Sequence, residues 1–348
     1  MTNLSYSAAA TSRSTAPGRP RLLSRLKRLT LSAVVILTAV GTFRAWAQTP
    51  SSPELKALPV AEGTWYVQGV GELGSSANRN FISNAGFVVT PDGVLVVDAL
   101  GSPALADELL AQIRRFTDQP VHYVVVTHCH ADHIYGLQAF RKLGAKVVAH
   151  VECRQYLNSE TAQRRLEASR EELFPWIDEH TSLVVPDLWL GELGVARTPD
   201  MVLKLGQREF LVRHAGPSHT PEDLVVFDRH TGVLFTGDVV FRGRIPFVGG
   251  ADSRSWIHAL DTILALKPRI MVPGHGPLST SPVEDLGQTR DYLAYLRQAM
   301  GQAARNLEPF EEAYARTDWS LFEHLPLFRA ANRMNAYNTY LLMEHEAP

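Results

Sequence analysis

The segment Thr127-His128-Cys129-His130-Ala131-Asp132-His133 decides how the rest of this sequence is interpreted. It places four potential metal ligands within six residues, directly after an apolar run that predicts a buried strand. Side chains two residues apart on an extended chain point the same way, so His128 and His130 are expected to bind one ion together. The chain then turns toward a predicted helix, which lets Asp132 and His133 face a second ion. Imidazole and carboxylate groups are ordinary zinc ligands.

Three more ligand-type side chains follow predicted strands elsewhere in the sequence. They are His219 after a strand at 209–214, Asp238 after a strand at 233–236, and His275 after a strand at 269–272. Loops at one edge of a rigid α/β framework commonly carry functional side chains. We therefore predict that these three residues and the four of the segment above converge on one metal-binding edge.

Strand and helix patterns alternate through both halves of the sequence. In the first half, the turn Pro91-Asp92-Gly93 joins two apolar runs into a predicted hairpin, and a strand–helix–strand unit follows. In the second half, four predicted strands precede further helices, the longest at 282–303. This pattern predicts two packed sheets covered by helices. We assign 59–303 to one catalytic domain and 304–348 to a C-terminal helical extension whose role the sequence does not indicate.

The first 47 residues are typical of a targeting segment. Six basic residues between positions 13 and 28 precede an apolar run at 29–43, and Ala45-Trp46-Ala47 provides a small-x-small cleavage site. An uncleaved anchor is the alternative, but the run of 15 residues is shorter than the roughly 20 that span a bilayer. We expect export to the periplasm or the medium, with cleavage after Ala47. Residues 48–58, rich in proline and serine, are expected to form an extended leader.

The net charge favours a small-molecule substrate over a polyanionic partner. The chain has 34 Lys and Arg and 36 Asp and Glu, a formal charge of −2. Residues 1–47 hold seven of the bases and none of the acids, so the remaining chain carries 27 bases and 36 acids, or −9. This acidic balance argues against nucleic acid and, after signal cleavage, against a membrane surface as partners.

The two cysteines, Cys129 and Cys153, are too few for a disulfide framework. The first lies inside the metal-binding segment and the second just beyond the next predicted strand. We favour two small, buried, unbonded side chains. A disulfide is the alternative, since export to an oxidising compartment would permit one.

With these motifs in order, residues 60–280 resemble the metallo-β-lactamase superfamily. Asp98, which closes the predicted hairpin, matches the first of the five family motifs, and the seven ligand-type residues match the other four. The resemblance implies a four-layer αββα sandwich with two zinc ions at one edge of the sheets, and a structural role for Asp98. It also implies that His128, His130 and His219 bind one zinc, that Asp132, His133 and His275 bind the other, and that Asp238 bridges both.

Two zinc ions held in this way can share a hydroxide that is nucleophilic near neutral pH. We therefore expect hydrolysis of an ester, thioester, lactone or amide-like carbonyl bond, with Asp132 both binding zinc and orienting the hydroxide as the catalytic residue. An aspartate at position 238 resembles glyoxalase II and lactonases, whereas dedicated β-lactamases carry cysteine or serine there. The stretch 241–246 resembles periplasmic metallohydrolases of the quinoprotein-relay type.

Several interpretations stay open at this point. One alternative is a metallo-β-lactamase that hydrolyses β-lactams, and another is an accessory protein that binds a ligand or cofactor without turnover. Arg242 and Arg244, which follow Asp238, are candidates for contact with an anionic group of the substrate or for a solvated, salt-bridged loop. The loop at 71–80, rich in Gly, Ser and Asn, is predicted to overhang the metals as a mobile flap.

Overall fold

The computed structural model describes residues 53–193 and 198–346, which form two β-sheets packed face to face. The signal peptide predicted for 1–47, its cleavage site and the first part of the predicted leader lie outside the described residues. In the described part of the chain, no helix has the length and apolar character needed to cross a membrane.

The first sheet contains seven strands in the order of the chain. Its first four strands pair antiparallel and its last four pair parallel. The strands are β1 (Leu58–Ala61), β2 (Thr64–Val67), β3 (Ala85–Thr90), β4 (Gly93–Val97), β5 (Val121–Val125), β6 (Lys146–His150) and β7 (Leu188–Leu190).

The second sheet contains five strands, four in an antiparallel run and a fifth that pairs parallel at one edge. They are β8 (Met201–Leu205), β9 (Arg208–His214), β10 (Leu224–Asp228), β11 (Val233–Phe241) and β12 (Ile270–His275). The order across the sheet is β12-β11-β10-β9-β8, so β11 lies between β10 and β12.

Helices cover the outer face of each sheet. On the first sheet these are α1 (Pro103–Arg114), α2 (Ala131–Ile134), α3 (Leu137–Lys142), α4 (Cys153–Leu157) and α5 (Glu160–Glu172). On the second they are α6 (Ser253–Leu264), α7 (Pro282–Asp285), α8 (Gly287–Arg305), α9 (Phe310–Arg316) and α10 (Phe328–Glu346). The predicted four-layer αββα sandwich is therefore confirmed.

The side chains of β4 alternate between the two faces of the first sheet, so this one strand contributes to two hydrophobic cores. In β4, Val94 and Val96 face the helices, while Leu95 and Val97 face the second sheet. Successive side chains of a strand point to opposite faces, so a strand covered on both sides must be apolar throughout. All five residues of β4 are buried, as this argument requires.

The structure differs from the sequence prediction in local ways. Strands β1 and β7 were not predicted, and the helix expected at 282–303 is divided into α7 and α8. Asp238 lies inside β11 and His275 is the last residue of β12, whereas both were expected in loops after their strands. These two strands run further than their apolar patterns suggest because their pairing continues past Gly237 to Phe241 and His275, with local irregularities in register.

The C-terminal residues 304–348 continue the outer helical layer. The boundary predicted at residue 303 lies inside α8, and α10 packs along that helix. Ala336 and Tyr340 of α10 share one buried cluster with Tyr292 and Leu296 of α8. The predicted helical character of this segment is confirmed for α9 and α10.

A disulfide joins Cys129 to Cys153, so the expectation of two unbonded cysteines is wrong. The Cα atoms are 5.9 Å apart, within the range that a disulfide needs. The bond ties the metal-binding segment to the first turn of α4. Sequence spacing alone did not show that the β5–α2 turn and the start of α4 would lie side by side.

We predict that reduction of this disulfide destabilises the protein. A crosslink between residues 24 apart in sequence stabilises a fold by about 3 kcal/mol, mainly by restricting the unfolded chain. Urea unfolding with and without a reductant measures the difference. The Cys153→Ser variant should match the reduced wild type and should not respond to reductant. Equal stability of oxidised and reduced wild type would contradict the prediction.

Candidate metal centre

All seven predicted ligand residues converge at one edge of the sandwich. The turn after β5 and the short helix α2 supply four of them, the turn after β9 supplies His219, and β11 and β12 supply Asp238 and His275. Their ligand atoms form two groups, and within each group the atoms lie within 4.8 Å of one another. One group is His128, His130, His219 and Asp238, and the other is Asp132, His133 and His275.

The carboxylate of Asp238 faces both groups. Its Oδ2 lies 3.4 Å from Nε2 of His219 and 3.3 Å from Nε2 of His275. Its Oδ1 lies 3.3 Å from Nε2 of His133. Asp238 therefore lies between the two groups, where the family resemblance implied a bridging ligand.

Several polar atoms at this edge are buried without a hydrogen-bond partner. Among the described residues these include Nε2 of His128, Nε2 of His133 and Oδ1 of Asp238. A buried polar atom left without a partner costs about 1–3 kcal/mol. Nε2 of His219 also lies only 2.9 Å from Nδ1 of His130. A cation bound between these two imidazole nitrogens and the Asp238 carboxylate would give all three a partner. This set of donors is typical of zinc.

The outward nitrogen of four histidines is held by a fixed partner. His133 Nδ1 lies 2.9 Å from Asp98 Oδ2, His128 Nδ1 lies 3.2 Å from Thr127 Oγ1, His219 Nδ1 lies 2.8 Å from the Phe247 carbonyl, and His275 Nδ1 lies 2.7 Å from the Ile82 carbonyl. When Nδ1–H donates outward, Nε2 keeps a free lone pair for a metal. These partners therefore set the tautomer that ligation requires.

Asp98 holds the metal-binding segment in place through contacts with Thr127 and His133. Its two carboxylate oxygens accept hydrogen bonds from the Thr127 amide and hydroxyl, each at 2.8 Å, in addition to the contact with His133. Its backbone has φ of 63°, in the left-handed region that aspartate tolerates better than most residues. The structural role that the family resemblance implied for Asp98 corresponds to these contacts.

Two glycines allow the strands to approach Asp238. Gly237 has φ of 50°, and a Cβ there would collide with the Thr127 side chain. A Cβ on Gly274 would collide with Oδ1 of Asp238. Any larger residue at position 274 would therefore displace the carboxylate that the two groups share.

Burial and the neighbouring carboxylates set the protonation of the cluster. Burial is the main cause that lowers the pKa of His219 to about 3, and it lowers the pKa of His128 well below its usual range. Burial would also lower the pKa of His133, but the neighbouring Asp132, Asp98 and Asp238 carboxylates raise it. Two ionised aspartates among five histidines give the site the oxygen and nitrogen donors that suit a divalent cation.

A cavity of about 610 Å³ opens above the two ligand groups. His130, Asp132, His219, Asp238 and His275 line it, together with apolar residues of the surrounding loops. Leu73 and Gly74 of the loop at 71–80 line this cavity, while the mobility predicted for the loop stays a prediction. Asn78 Nδ2 donates to the Leu73 carbonyl at 2.8 Å and Trp176 Nε1 donates to the Ser76 carbonyl at 2.7 Å, which fasten the loop to itself and to the segment after α5.

Helix α10 holds the loop that orients His219. The side chain of Asn335 is buried, accepts from the Val248 amide at 2.9 Å, and donates to the Pro246 carbonyl at 2.7 Å and to Tyr292 Oη at 2.9 Å. Phe247, between the two loop residues, supplies the carbonyl that contacts His219 Nδ1. The C-terminal segment is thus linked to the metal centre through the buried side-chain amide of Asn335 and the loop that this amide holds.

Sequence reasoning did not find these supporting contacts. The carbonyl groups of Ile82 and Phe247 belong to the backbone, which leaves no residue-type signal in a sequence. Asn335 lies far along the chain inside a helix, where an asparagine is an ordinary surface residue unless the packing is known. Asn335 follows the buried Asn332 by three residues, so both lie on one face of α10. This spacing was the only signal in the sequence for the role of Asn335.

The two arginines considered after Asp238 have different environments. Arg242 forms an ion pair with Asp285 at 2.8 Å and donates to the Pro277 carbonyl at 2.9 Å, so it belongs to a salt-bridged loop. Arg244 is buried and lines the cavity beside His275.

Comparison with known proteins agrees with this geometry. The family model for the metallo-beta-lactamase superfamily matches residues 78–275. A linear primary-alkylsulfatase of a Pseudomonas species is 27% identical over 270 residues, covering 64% of this chain and 48% of the relative. The chain therefore spans about half the length of that relative. Hydroxyacylglutathione hydrolase GloC of Haemophilus influenzae is 29% identical over 181 residues, covering 50% of this chain and 77% of the relative.

A solved structure shows the same fold over most of the chain. The inverting sec-alkylsulfatase Pisa1 of a Pseudomonas species aligns with a TM-score of 0.64 at 17% identity, covering 83% of this chain and 50% of Pisa1. At this identity the likeness concerns the fold alone.

We predict that Asp238 and His219 differ in their effect on metal content. Because Asp238 faces both groups, Asp238→Ala should lose both zinc ions, whereas His219→Ala should retain the ion held by Asp132, His133 and His275. The zinc-to-protein ratio after dialysis against limiting zinc measures this, with circular dichroism to verify folding. Two ions per chain in folded Asp238→Ala would be incompatible with a bridging role.

We also predict that Asn335 supports metal binding through the loop it holds. Asn335→Leu should cost about 1–3 kcal/mol of stability, because buried partners lose their hydrogen bonds, and should weaken zinc affinity on the order of tenfold, as for other residues that orient a ligand. Asn332→Leu is the matched control, since Asn332 is equally buried on the same helix and bonds Tyr292 and Tyr314 rather than the loop. It should lose similar stability and keep its zinc affinity. Equal zinc affinity in the two variants would refute this role of Asn335.

Proposed function

The chain belongs to the metallo-beta-lactamase superfamily, and on that premise we propose that it is a two-zinc hydrolase of carbonyl esters, thioesters or lactones. The observation that carries the proposal is the position of Asp238 between two groups of histidine and aspartate ligands at the base of an open cavity. A purely structural zinc site is usually closed, with four protein ligands and no access for substrate.

Zinc ions bound by these residues would supply Lewis acidity, polarise a substrate carbonyl and make water nucleophilic near neutral pH. In each of the two ligand groups, the ring nitrogens that face the other ligands are free to bind one ion. Asp238 would neutralise part of the charge of both ions. All five histidines and both aspartates would then bind metal, and the two ions would need no further protein ligand.

Asp132 is the acidic residue best placed to orient the attacking water or hydroxide. Its Oδ2 lies 3.4 Å from His275 Nε2, and the same side chain is partly exposed and lines the cavity. Burial alone would raise the pKa of Asp132, but His133 and His275 lower it far below its usual range, which keeps it ionised and able to accept a hydrogen bond. In the proposed reaction, the water oxygen adds to the carbonyl carbon, the bond to the leaving oxygen or sulfur breaks, and the water proton passes to the leaving group.

Export of the protein is part of the proposal. The predicted signal peptide motivates it, and the disulfide between Cys129 and Cys153 supports it, because such bonds persist mainly in oxidising compartments. We accordingly propose a periplasmic or secreted enzyme that acts on a small molecule and needs no nucleic acid or membrane partner.

A second candidate is hydrolysis of a sulfate ester. It is favoured by the alkylsulfatase relative, whose alignment covers 64% of this chain, and it would use the same ligand groups. The relative named as a hydroxyacylglutathione hydrolase, at 29% identity, supports the carbonyl alternative. Turnover of β-lactams and ligand binding without turnover are the remaining alternatives from the sequence.

We predict turnover of at least one carbonyl substrate by the zinc-loaded protein, with loss after chelation. The assay would compare aryl esters, a thioester, lactones, aryl sulfates and nitrocefin. Asp132→Ala should lower kcat on the order of 100- to 10,000-fold, comparable to the usual contribution of a positioned catalytic side chain. Glu179→Ala, which removes an exposed acid, should leave kcat unchanged. If the zinc-loaded protein turns over only sulfate esters, the second candidate replaces the first, and if it turns over nothing, the hydrolase proposal fails.

A further inference from the structure

Asp223 is a buried carboxylate that the proposed reaction does not use. Only 1% of the residue is exposed, and it lies four residues after His219, directly before β10. Burial raises the pKa of this carboxyl group to about 7, although hydrogen bonds from Ser218 and Thr220 lower it. Among the described residues, none with a positive charge forms an ion pair with it. A buried acid without a cationic partner depends on its hydrogen bonds.

The hydrogen bonds of Asp223 lie on both sides of His219 in the sequence. Its Oδ2 accepts from the Ser218 hydroxyl at 2.6 Å and from the Thr220 amide at 2.8 Å, and its Oδ1 accepts from the Thr220 hydroxyl at 2.8 Å. Its backbone carbonyl accepts from the Ala215 amide at 2.9 Å, which closes the loop at its base. One side chain thus fixes the residues immediately before and after a predicted metal ligand.

Asp98 forms the same arrangement in the metal-binding segment. It accepts hydrogen bonds from both the amide and the hydroxyl of Thr127, the residue before His128, each at 2.8 Å. Asp223 accepts from the amide and the hydroxyl of Thr220 at the same distances. Each carboxylate therefore holds the backbone next to a ligand histidine.

The residues on either side of Asp223 connect its loop to the metal-binding segment. The amide of Cys129, which lies between two ligand histidines, donates a long hydrogen bond of 3.4 Å to Glu222 Oε1. The amide of Leu224 donates to the Thr127 carbonyl at 2.7 Å. This short segment therefore contacts both parts of the chain that supply histidines to the first ligand group. That group is His128, His130, His219 and Asp238.

We propose that Asp223 is a positioning residue that holds His219 in the orientation required for metal binding. Asp223 fixes the backbone around His219, and the Phe247 carbonyl contacts the ring at Nδ1, 2.8 Å away. Nε2 of His219 is then directed toward Asp238 Oδ2 at 3.4 Å. Loss of a group that orients a ligand weakens metal binding about 10- to 100-fold. The inference rests on the metal centre of the proposed function and is independent of the bond that is cleaved.

Two substitutions of Asp223 separate its hydrogen bonds from its volume. Asp223→Leu should weaken zinc binding by the first ligand group about 10- to 100-fold, because the donors of Ser218 and Thr220 lose their acceptor. Asp223→Asn should retain most of the affinity, because one oxygen remains for two donors and the new amide can donate to the Thr220 hydroxyl. Zinc-to-protein ratios at limiting zinc measure this, above neutral pH so that the wild-type carboxylate is ionised.

Asp228→Asn is the matched control. Asp228 is equally buried, lies at the other end of β10, and accepts hydrogen bonds from Arg208 and Thr231 rather than from a loop with a metal ligand. This variant should lose stability and keep its zinc affinity. Ser218→Ala removes one donor and should weaken zinc binding less than Asp223→Leu. If Asp223→Leu does not fold, wild-type zinc affinity in Ser218→Ala would overturn the inference.

A double-mutant cycle determines whether Asp223 acts through His219. His219→Ala should keep only the ion of the second group, so the addition of Asp223→Leu should cause no further loss of zinc. A further loss in the folded double variant would show that Asp223 supports the fold in general, and the inference would fail. Full zinc affinity in folded Asp223→Leu would contradict it equally.

Nuclear magnetic resonance of the zinc-free protein separates this inference from the proposed function. Spectra of the histidine ring nitrogens should show the proton of His219 on Nδ1 in the wild type and in Asp223→Asn. Asp223→Leu should show a mixture of tautomers for His219 and an unchanged His275. This result in a protein that binds no zinc would support the positioning role while the two-zinc proposal fails. An unchanged His219 signal in folded Asp223→Leu would overturn the inference.

Discussion

The carboxylate of Asp238, shared between two clusters of imidazole nitrogens, is the interaction on which the rest of this structure depends. It lies within 3.4 Å of ring nitrogens from His133, His219 and His275, which come from three separate regions of the chain. Buried imidazoles and carboxylates at such distances are unfavourable without cations, because several of their polar atoms have no partner. The fold therefore maintains a costly arrangement that metal binding would make favourable.

The two sheets make this arrangement possible by bringing strand ends to one edge. Asp238 lies within β11, at the centre of a strand whose nine residues are all buried, so its backbone has little freedom. Gly237 and Gly274 remove the side chains that would otherwise separate β11 from its neighbours. Around this rigid centre, backbone carbonyls and Asp98 orient the outward nitrogens of the histidines. The helical layer contributes too, since Asn335 of α10 fixes the loop that carries one of those carbonyls.

The sequence predicted the sandwich and the convergence of all seven ligand residues because both leave residue-type signals. Alternating apolar patterns determine the strands, and ligand-type residues after those strands mark the edge. The contacts of Ile82 and Phe247 could not be predicted, since a carbonyl group belongs to every residue. The Cys129–Cys153 bond and the place of α10 depend on tertiary packing, which has no short-range signature. The two arginines after Asp238 were equivalent in sequence, and only their neighbours in space distinguish them.

The most direct test of this account is anomalous diffraction at the zinc edge from crystals grown with zinc. The account predicts two peaks, one beside His128, His130 and His219 and one beside Asp132, His133 and His275, with the Asp238 carboxylate between them. A single peak, or no peak at this edge in zinc-replete crystals, would contradict the central claim that the chain builds a two-metal site.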